Sequence, residues 1–226
     1  VNTRMKGINQ LRILVADDNQ TMHAAYKEIL ETRDNIIVVG MASDGLESLE
    51  KSAELVPDVA ILDVRMPNMD GLAVANRIMA QDTPTAIVLV SAYDDLAFIC
   101  AIMHSGAARK AYILKNSLDN IAEFIRVVEA VAKGQSVLHK TIIQSLMDIC
   151  HRLGSTQATQ LTDAEERVLL LMLEGYEVEI AQARQLQPEQ VESLVTELFS
   201  KLGIVPEEGV NRSPQVVQAM VNICVA

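Results

Sequence analysis

Residues 57–72 read PDVAILDVRMPNMDGL, an aliphatic run that ends on a single carboxylate, Asp63, and then turns at Met66-Pro67 and again at Asp70-Gly71. A short β-branched run bounded by Pro and Gly has the pattern of a strand buried on both faces. A charge closing such a strand is costly unless a partner neutralises it or the charge is itself put to use. The flanking sequence decides between the two.

Four more runs of the same kind surround it: RILVADD (Arg12–Asp18), NIIVVGMAS (Asn35–Ser43), PTAIVLVSA (Pro84–Ala92) and AYILK (Ala111–Lys115). The segments Gln20–Thr32, Leu46–Leu55, Leu72–Ala80, Asp95–Ser105 and Leu118–Ala132 carry helical patterns. This alternation predicts an α/β domain over residues 1–132, a five-stranded parallel, doubly wound sheet with helices on both faces. In such sheets the working crevice lies outside the carboxyl ends of the strands.

Those ends carry Asp17-Asp18, Asp63, Ser91 and Lys115. Three convergent carboxylates repel one another, and a hard divalent cation such as Mg²⁺ among their oxygens relieves the repulsion. With a hydroxyl and an ammonium group beside them, the set suits a phosphoryl group, and a carboxylate there can act as nucleophile to give an aspartyl phosphate. Taken singly, Asp17-Asp18 is also an acidic helix start, Ser91 a turn hydroxyl, Lys115 a solvated amine and Tyr112 a core residue; the constellation is what lifts them. Cys100 and His104 are spaced i,i+4 on a helix, but no second ligand pair accompanies them as a zinc site requires.

Together, Asp17-Asp18, LDVRMPNMDG, Ser91-Ala92 and Lys115 resemble the signature of two-component response regulator receivers, over about residues 10–132. The resemblance implies a flavodoxin-like receiver in which Asp63 is the phosphoacceptor for a histidine kinase. It further implies Mg²⁺ held by Asp18 and Asp63, by the backbone carbonyl of Arg65, and by Asp17 through water. Ser91 would bond the phosphoryl oxygen, Lys115 would pair with it, and Tyr112 takes the place of the aromatic switch residue. GAARKAYILK is two residues longer between Gly106 and Lys115 than the family's usual spacing, so the loop before the fifth strand is expected to be remodelled.

From Lys133 the pattern changes. Leu138, Ile142, Leu146, Ile149 and Leu153 recur at steps of four and three, which predicts an amphipathic connector helix, and GSTQATQ (Gly154–Gln160) reads as a linker; residues 133–160 form the connector. Residues 161–226 then read as a small all-α domain of helix-turn-helix type. Thr162 caps a first helix with Glu165 three residues on, and Gly175 stops it. Helices follow at 179–184 and 188–202, and a last one has Ser213 as cap and Pro214 at its first position.

This half resembles the output domain of NarL/FixJ (LuxR-type) regulators through LTDAEERVL, EG, EIA, Val191 and KLGI. The resemblance implies a dimeric transcription factor that presents Pro188–Leu202 to the DNA major groove, with Glu189, Gln190, Glu192, Ser193, Leu194, Glu197 and Lys201 on the output helix. Positions that carry lysine, histidine or arginine in the family carry Glu189, Glu192, Leu194 and Ser200 here. Residues 155–226 hold four Lys or Arg against eleven acids, a balance of −7, while 1–154 carry −4 of the chain's net −11. Phosphate contacts supply most non-specific DNA affinity, and acids repel that backbone.

The sequence thus predicts a phosphorylation-switched regulator, not an enzyme, that forms a homodimer. Two outputs stand side by side, contact with a protein partner and the DNA binding inherited from the family. No apolar run approaches the ~20 residues of a membrane span and the first residues lack a secretory leader, so a cytoplasmic protein without membrane contact is expected. Three widely spaced cysteines, Cys100, Cys150 and Cys224, read as buried thiols in a reducing compartment.

Overall fold

Every residue of β3 (Val59–Asp63) is buried, as its uninterrupted aliphatic sequence requires. The computed structural model describes residues 10–81, 84–94, 96–104, 106–153, 161–176, 188–206 and 211–225. Contacts divide the chain into two units, Val1–Leu89 and Val90–Ala226, and the dividing point falls inside β4 (Ala86–Ser91). The strand order is β2-β1-β3-β4-β5-β6.

The first unit holds β1 (Leu11–Ala16), α1 (Gln20–Leu30), β2 (Ile36–Ala42), α2 (Gly45–Leu55), β3, α3 (Gly71–Met79) and the start of β4. β1 pairs in parallel with β2 from Leu11↔Ile36 and with β3 from Ile13↔Val59. Each helix starts on an Asx cap just beyond a strand end: Asn19 accepts from the Thr21 N–H, Asp44 from those of Leu46 and Glu47, and Asp70 from that of Ala73. These short side chains satisfy orphan donors of the first turn and fix where each helix leaves the sheet. Burial on both faces holds for β3, β4 and β5 but not for the edge strand β2, most of which is half-exposed.

The second unit continues with α4 (Leu96–His104), β5 (Lys110–Leu114), a 3₁₀ turn (Lys115–Asp119), α5 (Ile121–Ala132), β6 (Val137–Leu138), α6 (Lys140–Leu153), α7 (Asp163–Leu173), α8 (Pro188–Leu202) and α9 (Arg212–Val225). All five predicted strands are present, and β6 adds a short sixth, parallel to β5. That strand corrects the connector reading. Leu138 pairs with Tyr112 in the sheet instead of opening the helix, because Gly134 (φ +94°) turns the chain after α5 and Val137-Leu138 then cover the free edge of β5. The buried stripe of α6 is Ile142, Ile143, Leu146, Met147 and Cys150, with Ile149 only half-buried.

Thr162 and Glu165 form the predicted capping box. Gly175 (φ +74°) closes α7 with a paired-carbonyl stop: its N–H donates to the Met172 carbonyl and the Tyr176 N–H to that of Leu171. A Cβ on Gly175 would lie 2.5 Å from Val137 Cγ2, so this stop also needs glycine to approach β6. The last helix begins at Arg212, two residues earlier than predicted, and Ser213 is not its cap; its hydroxyl bonds the Ser136 carbonyl instead. Pro214 is tolerated there because first-turn N–H groups have no intrahelical acceptor. The predicted helix at 179–184 and the linker at 154–160 lie outside the described residues. No helix among the described residues is long and apolar enough to cross a membrane.

The loop before β5 places Arg109 at φ +62° and buries Lys110, which is 1% exposed. Its ammonium donates to the Ile102 carbonyl at 2.7 Å, in the last turn of α4, where a cation suits the helix end. Burial lowers the Lys110 pKa from 10.5 to about 8. A depressed folded-state pKa contributes stability that is present above the unfolded value and lost as pH falls through the folded one. The wild type should therefore gain resistance to urea between pH 8 and 10 relative to Lys110→Met, in which that rise disappears. Parallel urea midpoints of the two proteins over this range check it.

Candidate functional site

The carboxyl ends of β1 and β3 bring three acids together. Asp17 and Asp63 are buried and Asp18 is exposed, and a carboxylate oxygen from each lies within 4.8 Å of the others. Local turns aim two of them: the Asn19 N–H donates to Asp17 Oδ1 at 2.9 Å, and the Arg65 N–H to Asp63 Oδ1 at 3.3 Å. Oxygens sharing one octahedral cation at about 2.1 Å lie about 3–4 Å apart, so these hard donors need only a small contraction to hold Mg²⁺. A softer metal would favour thiolate or imidazole ligands.

The segment after β3 folds closely around Asp63. The Gly71 N–H donates to the Val64 carbonyl at 2.9 Å, and a Cβ on Gly71 would fall 2.2 Å from the Asp63 carbonyl oxygen. Only glycine permits α3 to start this near the acid. Asn68 (φ +64°) donates from its side chain to Asp44 at 3.1 Å, which ties the loop to the cap of α2.

Two residues of α1 escaped the sequence reading. The His23 Nε2–H faces the carbonyls of Asp17 at 2.7 Å and Ala42 at 3.1 Å, pinning adjacent strand ends. The buried Tyr26 phenol has its pKa pushed up by burial and by the charges of Asp17 and Asp63, so it stays protonated beside the cluster. Their i,i+3 spacing, which places both on one helical face, was the available signal.

In the second unit Ser91 ends β4 and is buried. Its Oγ accepts from the Tyr93 N–H at 3.0 Å, and the Tyr93 carbonyl accepts from the buried Tyr112 hydroxyl at 2.9 Å, so Tyr93 links the hydroxyl to the aromatic residue. β5 ends at Leu114, and Lys115 opens the following 3₁₀ turn, half-buried, rather than closing the strand. The outer surface of this part of the unit is covered by its own chain: α4 packs on α6 and α9, and β6 takes the edge of β5.

On α8, Val191, Val195, Leu198, Phe199 and Leu202 face inward while Gln190, Glu192, Ser193, Thr196, Glu197 and Ser200 are exposed and Leu194 is half-buried. Glu189 lies in its first turn. Lys201 reaches the buried Glu165 at 2.6 Å, and the guanidinium of Arg212 meets both oxygens of Glu192 at 2.9 and 3.0 Å. Burial alone would raise the Glu165 pKa, but Lys201 and the Thr162 groups hold it below the usual value; Arg212 lowers that of Glu192.

The profile of the response regulator receiver domain matches residues 13–126. The chain is 31% identical over 212 residues, 93% of its length, to the "Probable transcriptional regulatory protein NarL" of Mycobacterium tuberculosis, 94% of which is covered. This protein belongs to the NarL/FixJ-type response regulators. The solved receiver domain of the M. tuberculosis regulator NarL matches with TM-score 0.51 and 34% identity, covering 56% of this chain and 99% of that one. A structure of two RcsB dimers bound to two parallel DNAs shares the fold, with TM-score 0.56 and 21% identity over 96% of this chain and 100% of that one. In this response regulator the acid cluster, Ser91 and Lys115 follow in receiver order, and the C-terminal region is all-helical among the described residues.

The Gly71 approach gives a direct check on the site. Gly71→Ala should displace Asp63, lower stability by on the order of 1–3 kcal/mol and weaken Mg²⁺ binding, read by thermal unfolding with and without the ion. A variant with unchanged melting temperature and Mg²⁺ affinity would show that the close approach does not position the acid.

Proposed function

We propose that this response regulator takes a phosphoryl group on Asp63 from a histidine kinase, and that its output is contact with a protein partner rather than with DNA. The receiver reading rests on the three clustered carboxylates. An Asp63 oxygen attacks the phosphorus of a phosphohistidine, the P–N bond breaks, and the released imidazole nitrogen takes a proton from solvent. Mg²⁺, held by Asp18 and Asp63, the Arg65 carbonyl and, through water, Asp17, would offset charge on the phosphoryl oxygens and the acids. Ser91 Oγ and Lys115 Nζ take the roles of hydrogen-bond donor and ion-pair partner to the phosphoryl group.

Switching follows from the Ser91–Tyr93–Tyr112 linkage. A phosphoryl oxygen that accepts the Ser91 O–H and draws Oγ towards itself moves the acceptor away from the Tyr93 N–H, and Tyr93 carries that shift to the carbonyl that holds Tyr112. Tyr112 also pairs with Leu138 and accepts the His139 N–H, so its movement reaches β6 and α6. Dimerisation through the α4–β5 surface would require α6 and α9 to yield it. Residues 1–132, 133–160 and 161–226 serve as receiver, connector and output region in this reading.

The exposed face of α8 carries the output proposal. Glu192 and Glu197 project from it, and two cations among the described residues, Lys201 on this helix and Arg212 beside it, are engaged by Glu165 and Glu192. Lys201 cannot leave without exposing a buried carboxylate to an uncompensated charge. The names of the relatives favour the second reading, a DNA-binding transcriptional regulator, and a salt titration decides between them.

Two measurements test the proposal. Incubation with Mg²⁺ and a small phosphodonor should add one labile phosphoryl group to the wild type and none to Asp63→Asn, while Asp18→Asn should bind the metal more weakly. The wild type should give no salt-sensitive anisotropy change on duplex DNA at micromolar protein, where non-specific binders register. Glu192→Lys adds a cation and releases Arg212, and should confer weak binding whose log–log salt slope is steeper by about one to two units. Tight, sequence-selective binding by the unmodified protein, with or without phosphoryl, returns it to the DNA-binding class.

A further inference from the structure

The chain has three cysteines, separated by at least fifty positions in sequence. They sit on α4 (Cys100), α6 (Cys150) and α9 (Cys224), three helices that pack on one another in the second unit. Cys150 is fully buried, Cys224 is half-buried, and their sulfurs lie 3.7 Å apart in an S–H···S contact. Cys224 also faces the Leu146 carbonyl at 3.8 Å, one turn back along α6. Burial pushes the Cys100 thiol pKa up, which favours its neutral form. A three-thiolate metal site is not formed, since among the described residues the group of three ligands within 4.8 Å is the aspartate trio.

We propose that Cys150 and Cys224 are a reversible dithiol–disulfide pair that fastens α9 to α6, with Cys100 outside the linkage. The sulfurs are already in van der Waals contact, and forming the bond asks them to close by less than 2 Å to reach about 2.05 Å. A hydroperoxide supplies the oxidising equivalents. The Cys150 thiolate, formed when the pair gives up its first proton and hydrogen-bonded by the Cys224 thiol, attacks one peroxide oxygen; the O–O bond breaks, leaving a sulfenic acid and one water. The Cys224 sulfur then attacks the sulfenic sulfur, the S–O bond breaks, and the second water departs with the thiol proton. Both sulfurs are thereby oxidised, the peroxide is reduced to two waters, and a cellular dithiol reverses the exchange. Half-exposure of Cys224 gives a molecule the size of peroxide a route to the pair. The link would hold α9 against the connector whatever the state of Asp63, and it does not depend on what the output surface binds.

Full-length protein treated with hydrogen peroxide, then alkylated in denaturant and weighed, tests this. The pair predicts a chain lighter by two hydrogens that takes one alkyl group, on Cys100, against three before oxidation, with peptides bearing Cys150 and Cys224 joined. Cys100→Ser should still form the link, and Cys224→Ser, at a half-exposed position that tolerates the change, should not. Folded protein should give this pairing in preference to the two that involve Cys100, whereas urea-unfolded protein should give a mixture. Three alkylatable thiols after peroxide, a link containing Cys100, a link between chains, or sulfinic acid without a link would each overturn the proposal.

Discussion

Three carboxylates held within 4.8 Å of one another set the terms for the first unit. At an effective dielectric near 20, each pair repels by on the order of 3 kcal/mol, less for the exposed Asp18. The surrounding backbone keeps them together at that cost. The Asn19 and Arg65 N–H groups donate to two of the acids, Gly71 lets the chain return beside Asp63, and the Asx caps of α1, α2 and α3 fix the loops between. Repulsion stored in this way is relieved by a cation placed among the three carboxylates. The charge that ends β3 is therefore held in place by its neighbours and not left without a partner in the fold.

The output region turns the same physics to the opposite end. Two cations near α8, among the described residues, complete the fold. Lys201 answers the buried Glu165, which also closes the capping box of α7, and Arg212 answers Glu192 across the start of α9. The inward face of α8 keeps an apolar spacing, Val191, Val195, Leu198 and Leu202, so the helix is held whatever charge its outward face carries. Scaffold and surface are separable because burial constrains one face and solvent leaves the other free.

How much of this was legible beforehand depends on the kind of signal each element carries. The strands and the acid cluster were readable because buried parallel strands are continuous aliphatic runs and their ends are where charges appear. The capping box and the Gly175 stop were readable because they are local rules. β6 was not, since two apolar residues ahead of an amphipathic helix extend its periodicity, and only the free edge of β5 makes Val137-Leu138 a strand. Ser213 has a capping residue's chemistry, yet a tertiary acceptor, the Ser136 carbonyl, took its hydroxyl. His23, Tyr26 and the Cys150–Cys224 contact depend on which helix faces meet, information that no local pattern holds.

The loop before β5 shows how tertiary terms tie neighbouring elements together. Lys110 turns inward and holds the last turn of α4 through the Ile102 carbonyl, while Ser136, next to β6, donates to the Ala107 carbonyl in the same loop. The loop therefore fastens α4 on one side and the start of the connector on the other. Arg126 of α5 adds a second fastening: it binds Glu123 through a salt bridge of 2.6 Å, reaches the Glu174 carbonyl at 2.7 Å and lies 4.0 Å over the Tyr176 ring. The first fastening joins the loop before β5 to the approach to β6 and the second joins α5 to the end of α7, both within the unit that holds the Ser91–Tyr93–Tyr112 linkage. Moving this linkage has to outweigh only a small number of identifiable hydrogen bonds, each worth about 1 kcal/mol net, or about 1.5–3 where a charge takes part.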